Sequence, residues 1–354
     1  MNEKYLQQLL AACPTIEVLV VGDFFLDKYL VIDRRLSETS LETGLEAFQV
    51  IEVRSSPGAA GTVAADLRAL GVRVTALSVI GDDGDGYELK RGLAKLGVVI
   101  EPILVCQNRY TPTYTKPVLR ELDGNERELN RLDIKNRRPL PREMEKEVIA
   151  SLRELVPKVD GVAIVDQVQE QNCGVITNQI REELIRLALE YPKKIFIADS
   201  RERIGLFRNV IVKPNRREAA LAIGEDPTKK PDEAEIQRWG EALYEKTGRP
   251  VFITAAEEGI YVFNGVDFCH IPALPVEGPI DPVGAGDAVM AGLLTFLCLG
   301  ASLVEAAIIA NVMASITIQQ LGTTGTATPE QILARFQSWY PRIRNFSNFY
   351  SGNR

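Results

Sequence analysis

Histidine is almost absent from this chain: its 354 residues include one, His270. A single imidazole excludes His-rich metal sites, paired-histidine phosphotransfer and most histidine-based triads. Cysteine is sparse as well. The five, at 13, 106, 173, 269 and 298, are odd in number and form no C-x-x-C pair. That pattern speaks against a zinc site or a disulfide framework and for small buried thiols in a reducing cytoplasm. A basic excess is missing too: 41 Lys and Arg face 48 Asp and Glu, for a net charge of −7. This is the wrong sign for a general nucleic-acid binder. The N-terminal MNEKYLQQLLAACP does not have the form of a signal peptide. The longest apolar stretch, 288–316, approaches the ~20 residues of a membrane span. Gly300 interrupts it, Ser302 can cap a new helix and Glu305 falls in that helix's first turn, so two successive buried helices are expected.

What is present is an ordinary globular composition, 45% hydrophobic and 25% charged. The length allows a large core without staples. Short continuous apolar runs recur: EVLVVG (17–22), VTALSVIG (74–81), GVAIVD (161–166), KIFIAD (194–199), NVIVKP (209–214) and PVFITA (250–255). Runs of this kind predict strands buried on both faces. Helical stretches at 59–71, 87–97, 182–191 and 234–248 lie between them. The alternation predicts an α/β fold with a doubly wound, mostly parallel sheet. Two segments break the rhythm, 30–54 and 102–133. Both are polar on alternate positions, and LDGNER is a turn signal. They are expected to form a small β lid over the carboxyl edge of the sheet, where open α/β sheets bind ligands. The final 19 residues hold six of the 24 aromatics, so the 331–354 extension is expected to dock on its own domain or on a second subunit.

The most informative stretch is 278–292, GPIDPVGAGDAVMAG. Gly284, Ala285 and Gly286 let the backbone approach a ligand closely. At a helix N-terminus their N–H groups form an anion cradle. Asp287 beside them can be a helix cap or the carboxylate that takes a proton from an attacking hydroxyl. Spacing alone leaves both open. The loop is neither a P-loop nor a G-x-G-x-x-G fingerprint.

DPVGAGD resembles the second signature, D-T-x-G-A-G-D, of the ribokinase/PfkB-type carbohydrate kinases, with Pro282 in place of the usual Thr. PGAAGTVAADLRALG (57–71) resembles that family's first signature. VVGDFFLDKYL (20–30), TK (115–116), RLD (131–133), KPNRREA (213–219), FITAAEEGIYVF (252–263) and IANVMASITIQQLGTTG (309–325) are similar, in order, to the heptose-phosphate kinase branch. That branch is the kinase half of bifunctional lipopolysaccharide heptose enzymes.

The resemblance implies ATP-dependent transfer of a phosphoryl group to a sugar or sugar-phosphate hydroxyl. It implies Asp287 as base, the Gly284–Asp287 loop as anion hole, and Asn215 with Glu218 organising Mg²⁺ through water. Lys213, Thr254, Gly259 and Asn311 would border the nucleotide. Asp27, with Asp23 as a second candidate, and Gly58, Ala59, Thr62 and Lys116 would face the sugar. It further implies a homodimer through the lid, and it raises a monovalent-cation site near the 281–284 and 322–325 turns. Asp23 and Glu218 also suit purely local roles, as a turn cap and a first-turn helix acid. Thr62 stands where relatives have Asn, and QVQEQNCG after Asp166 lacks the branch's Tyr and Lys. Pro117-Val118 replaces a basic residue. Lys28, Arg109, Lys116 and Arg120 are the cations available to a substrate phosphate. A kinase of an unphosphorylated sugar or nucleoside, and a catalytically silent ligand-binding or regulatory member, are the alternatives. The expected organisation is a kinase domain over 1–330, cytoplasmic, without the H-x-G-H transferase domain of the bifunctional relatives.

Overall fold

A computed structural model describes residues 1–322 and 324–343. Helix α1 (Glu3–Ala12) leads into strand β1 (Glu17–Gly22), and beyond Asp23 the chain enters β2 (Phe24–Asp33). A small hairpin, β3 (Glu38–Thr39) and β4 (Glu46–Ala47), precedes β5 (Val50–Ala59) and helix α2 (Ala60–Ala69). Strand β6 (Arg73–Gly81), helix α3 (Gly84–Lys95) and strands β7 (Ile103–Cys106), β8 (Thr113–Arg120), β9 (Glu126–Glu128) and β10 (Leu132–Ile134) follow. The second half alternates α4 (Arg142–Leu155), β11 (Gly161–Asp166), α5 (Asn178–Glu190), β12 (Ile195–Ser200) and β13 (Ile211–Val212). Then come α6 (Arg216–Ile223), α7 (Glu233–Thr247), β14 (Val251–Thr254), β15 (Ile260–Phe263) and β16 (Phe268–Ile271). Helices α8 (Ala285–Cys298), α9 (Leu303–Thr317) and α10 (Pro329–Ile343) close the chain.

Among the described residues, nine strands form one sheet in the order β16-β15-β14-β13-β12-β11-β1-β6-β7. It is parallel from β7 to β14, and β15 and β16 turn back antiparallel at one edge. The continuous apolar runs are what such a sheet needs, because both of its faces are covered. In β1, Val18 and Val20 pack into one core and Leu19 and Val21 into the other. The 288–316 stretch is two helices, with Gly300 at positive φ between them and Ser302 and Glu305 forming a reciprocal capping box. No helix among the described residues is long and apolar enough to cross a membrane. All five cysteines are free.

A second sheet has the order β10-β8-β2-β5 with β9 on β8, and its β2 starts just beyond the carboxyl end of β1. Its borders differ from the 30–54 and 102–133 expectation. It begins at Phe24 and runs to Ala59, while Ile103–Cys106 extends the main sheet beside β6. The apolar ILVC run is satisfied by a neighbouring parallel strand, and residues 24–59 form a long β2–β5 ribbon. Phe336 and Trp339, on α10, are buried against the body of the molecule. The rest of the aromatic extension, 344–354, and Thr323 in the 322–325 turn lie outside the described residues.

Helix α2 packs on α8 and carries a fully buried carboxyl, Asp66, whose two oxygens have no hydrogen-bond partner. Burial, reinforced by the charge of Asp287, pushes its pKa well above the usual carboxylate value. A carboxyl raised in the fold contributes stability that is complete below its unfolded pKa of roughly 3.9 and is lost as pH climbs toward the folded value. Asp66→Asn is therefore expected to flatten the fall in melting temperature between about pH 5 and pH 8 and to be the more stable protein at pH 8, by about 1–3 kcal/mol. Thermal unfolding at both pH values checks this, and an unchanged slope refutes it.

Candidate active site

The site is built where strand ends and helix starts converge. The cleft there has a volume of about 1480 Å³ and is lined by, among others, Lys213, Asn215, Thr254, Gly259, Asp287 and Asn311. Ala285 and Gly286 line it as well, and Gly284 is the one expected nucleotide-side or loop residue that does not. His270 lies apart from them, stacked on Tyr261 at the edge of the sheet with Nε2 2.6 Å from the Glu258 carbonyl.

Asp287 sits in the first turn of α8, and it caps nothing: the N-cap is Gly284, at φ 84°, with no side-chain capping bond. Gly284 is required there twice over. Its φ suits glycine, and a Cβ would lie 2.6 Å from the Thr324 methyl and 3.5 Å from that of Thr62. Thr62 therefore packs its methyl under the loop. The first-turn amides of Gly286 and Asp287 have no partner among the described residues, as expected at a helix start. Ala285 differs from expectation: its N–H donates to the Pro282 carbonyl at 3.2 Å, because the tight turn closes on itself. The cradle is therefore made by Gly286 and Asp287.

Beneath the loop lies a buried ion pair. Lys213, 2% exposed, places Nζ 2.8 Å from Asp199, and that Nζ would sit 3.7 Å from a Cβ on Gly286. Burial pushes the Asp287 carboxyl up to about 7; Asp199 and Asp27 add to the rise, while Lys213 and Arg201 oppose it. Glu218 is pushed up to about 7 in the same way, by burial and then by Asp199, against Lys213. Three carboxyl groups thus crowd one lysine, and their mutual repulsion raises those that lack it as a direct partner.

Asn215 and Glu218 form a reciprocal capping box on α6, with Glu218 N–H to Asn215 Oδ1 at 2.9 Å and Asn215 N–H to Glu218 Oε2 at 2.8 Å. The local role is real, and it leaves the other carboxylate oxygen for a ligand. Thr254 continues β14 by a bridge to Asn215, and Gly259, at φ 101°, would place a Cβ 2.1 Å from the Ile271 carbonyl. Asn311 uses its amide on the Ile271 and Pro272 carbonyls, at 3.0 and 3.3 Å, holding α9 to the end of β16.

On the second sheet, Asp27 and Gly58 lie side by side across the β2–β5 ribbon. A Cβ on Gly58 would stand 2.4 Å from Asp27 Oδ2, so only glycine leaves that carboxylate its position. Burial raises the Asp27 pKa, and Lys116 and Arg131 counter it. Lys116 bonds the Tyr29 hydroxyl at 3.0 Å, and Arg131 lies 4.1 Å above the Tyr114 ring. Ala59 holds the positive φ of 52° that turns β5 into α2.

The second carboxylate candidate, Asp23, is engaged elsewhere. Its oxygens accept from the backbone N–H groups of Gln167, Val168 and Val175 at 2.8, 3.0 and 2.7 Å, tying down the 167–175 loop. Of the four cations considered for a substrate phosphate, Lys28 is paired with Asp85 and Glu88 at 3.1 Å each, Arg120 with Glu126 at 2.7 Å, and Arg109 with the Cys173 and Arg138 carbonyls. Alternation along β2 explains Lys28, which projects to the opposite face from Asp27 and Tyr29. Only Lys116 turns toward Asp27, joined by Arg131. Asp199 and Arg201 were missed in the sequence. The signal was the strand-ending acid in KIFIADSR, at the carboxyl edge where such sheets place ligands.

The pfkB family of carbohydrate kinases matches this chain over residues 18–331. The chain belongs to that family. It is similar to the bifunctional protein HldE of Trichlorobacter lovleyi, 32% identical over 337 residues that cover 94% of this chain and 65% of the relative. HldE of Geobacter metallireducens is 31% identical with the same coverage. The chain thus spans about 65% of the length of these curated relatives. Among solved structures, Arabidopsis thaliana ribokinase, complexed with ribose and ATP, superposes with a TM-score of 0.65 at 17% identity, covering 91% of this chain and 99% of that one. Escherichia coli phosphofructokinase-2, in complex with potassium, gives 0.67 at 16% identity, covering 92% and 99%. At these identities the structures establish the ribokinase-like fold.

Removing the Lys213 charge leaves Asp199 buried and unpaired. Lys213→Met is expected to cost about 3–5 kcal/mol of stability. Denaturant unfolding measures it; a loss within about 1 kcal/mol would show that the pair is not the support of the site.

Proposed function

We propose that this chain phosphorylates a hydroxyl of a heptose-phosphate-type sugar phosphate, with Asp287 as general base and the Gly286 and Asp287 amides as the anion hole. The observation that carries this is the placement of an uncapped, half-buried carboxyl with a pKa near 7 beside two unpartnered helix-start amides. A base poised at that value is half ionised near neutrality, so it is both available and strong enough to accept a hydroxyl proton. Asp27 lies near enough for its charge to act on Asp287, which suits a carboxylate that orients the same sugar by accepting hydroxyl hydrogen bonds. In the step, the sugar oxygen forms a bond to Pγ and the bond from Pγ to the β,γ-bridging oxygen breaks. ADP leaves and the hydroxyl proton passes to Asp287.

The cation requirement fits the residues. No group of three or more His, Cys, Asp or Glu among the described residues could hold a metal directly, whereas magnesium keeps several waters and takes one or two carboxylates plus phosphate. Glu218 and Asn215 would hold it through water. When bound, the ion neutralises charge on the phosphates. Lys213 and the loop amides hold the phosphoryl oxygens, and the second sheet, closing as a lid, excludes water.

Lys116 and Arg131, beside Asp27, support a substrate that already carries a phosphate. One observation favours an unphosphorylated sugar instead: Arg131 is already paired with Asp133 at 2.6 and 2.8 Å. Rates on matched phosphorylated and free heptoses, hexoses and pentoses separate the two.

Asp287→Asn is expected to keep the fold and lower kcat by at least about 10³-fold. In the wild type, kcat/KM should rise as pH passes through about 7, since the base works only when ionised, and level off above it. Near-wild-type turnover in Asp287→Asn would sink the assignment.

The lid also supports a homodimer. β5 is its edge strand, and Val50, Ile51 and Val53 are 45%, 42% and 53% exposed, beside exposed Phe48. An unpaired apolar edge of this kind is a pairing surface. Light scattering is expected to give a dimer that Val53→Glu dissociates; a monomeric wild type would refute it.

A further inference from the structure

Among the described residues, the cleft contains one cation with no carboxylate within 4.0 Å. Lys213, Arg216, Arg217, Lys229 and Lys230, which line it, each have a carboxylate within 4.0 Å. Arg201 lines the same cleft and has none among the described residues. Its side chain makes one hydrogen bond, from Nε to Gln167 Oε1 at 2.7 Å, and its backbone N–H is held by the Asp166 carbonyl at 3.2 Å. The side chain is therefore oriented through Nε, and its two terminal nitrogens have no hydrogen-bond partner among the described residues. In a protein with an excess of acidic groups, an oriented guanidinium without a counter-ion beside a crowd of carboxyls is a placement for an anion that arrives later.

Its location says which anion. Arg201 follows β12, and its charge acts on Asp287 at the start of α8, on Glu218 on α6 and, together with Arg131, on Tyr114 on β8. Lys116 and Arg131, by contrast, act on Asp27 within the second sheet. Arg201 thus lines the same cleft as Asp287 and Glu218, whereas Lys116 and Arg131 are not among the residues that line it.

We propose that Arg201 is a catalytic residue that clamps the phosphoryl group in transit, an arginine supplied in cis to the transferring phosphate. This rests on the kinase reading above. As the bond between Pγ and the β,γ-bridging oxygen lengthens and the sugar oxygen approaches, negative charge spreads over the equatorial oxygens. The forked donors of a guanidinium match two of those oxygens at once. Because the cation is already oriented, it gains most from charge that develops during the step, so its effect falls on kcat. The amides of Gly286 and Asp287 and the Lys213 charge hold the group from the opposite, helix side. Arg201 completes the ring from the loop after β12.

The test compares wild type, Arg201→Gln and Arg201→Lys. With a sugar that the wild type turns over, Arg201→Gln is expected to lower kcat by about 10²–10³-fold while KM for ATP and sugar stays within about threefold, and Arg201→Lys is expected to restore part of the loss. Calorimetry gives a readout that needs no sugar. ADP with magnesium and aluminium fluoride, a mimic of the phosphoryl group in flight, should bind the wild type more tightly than ADP with magnesium. Arg201→Gln should abolish that advantage and leave ADP binding intact. A variant with kcat within about threefold of wild type, or a loss confined to KM, overturns the proposal. So does an aluminium fluoride advantage that is absent from the wild type or retained in Arg201→Gln. Failure of the kinase reading shows separately, as no turnover of any phosphorylated or free sugar by the wild type.

Discussion

Everything in the cleft depends on a lysine that cannot reach water. Lys213 is held in the interior by Asp199, and Asp287 and Glu218 share its field without being its direct partner. A buried cation with one partner and two further acids nearby gives a site with too little positive charge for its carboxyls. The consequence is chemical rather than structural: burial, reinforced by Asp199, pushes the two acids that the lysine does not pair with directly up to about 7. A deficit of positive charge is also what a phosphate-bound divalent ion would correct, so nucleotide binding and the ionisation of Asp287 are linked through one balance.

The second dependence is on missing side-chain volume. At Gly58 a single methyl would displace Asp27, and at Gly284 it would strike Thr324 and Thr62. These two contacts set how closely β2 approaches β5, and how closely the loop before α8 approaches the start of α2. They also explain why the altered residues of the first signature are tolerated. Thr62 packs its methyl beneath the loop, and Ala59 bears a positive φ at the β5–α2 junction, where glycine would be unstrained. Asp23 fastens the 167–175 loop, which lacks the Tyr and Lys expected of the heptose branch. The loop is held by backbone bonds to one carboxylate, and Gln167 from it orients Arg201.

Much of this was legible in the chain. EVLVVG, GVAIVD and PVFITA became central strands because an unbroken apolar run has no stable place except a sheet covered on both faces. Gly300 and Ser302 split the long apolar stretch as local rules require. DPVGAGD and N-x-x-E lie together in one cleft, as their resemblance to the family implies. Other features were not legible. Lys28 and Lys116 look equally available in the sequence, yet pleat alternation and α3 send Lys28 to Asp85 and Glu88. Ala285 looks like part of the anion hole, yet the turn takes its amide. Asp199 and Arg201 carry no motif of their own, and Asp66 reads as an ordinary polar residue on a helix until α8 covers it.

By itself the sequence determined the elements, their order, the doubly wound class and the loop that begins α8. Those follow from periodicity, caps and glycine, which act over a few residues. Tertiary structure alone decided which charges meet. Lys213 pairs with Asp199, Glu218 and Asp287 are left to share its field, Asp23 is committed to backbone amides, and Arg201 has no carboxylate partner among the described residues. The physical reason is that ionisation and pairing depend on distance and dielectric between groups far apart in the chain. Neither quantity exists until the two sheets and α8 have closed around them.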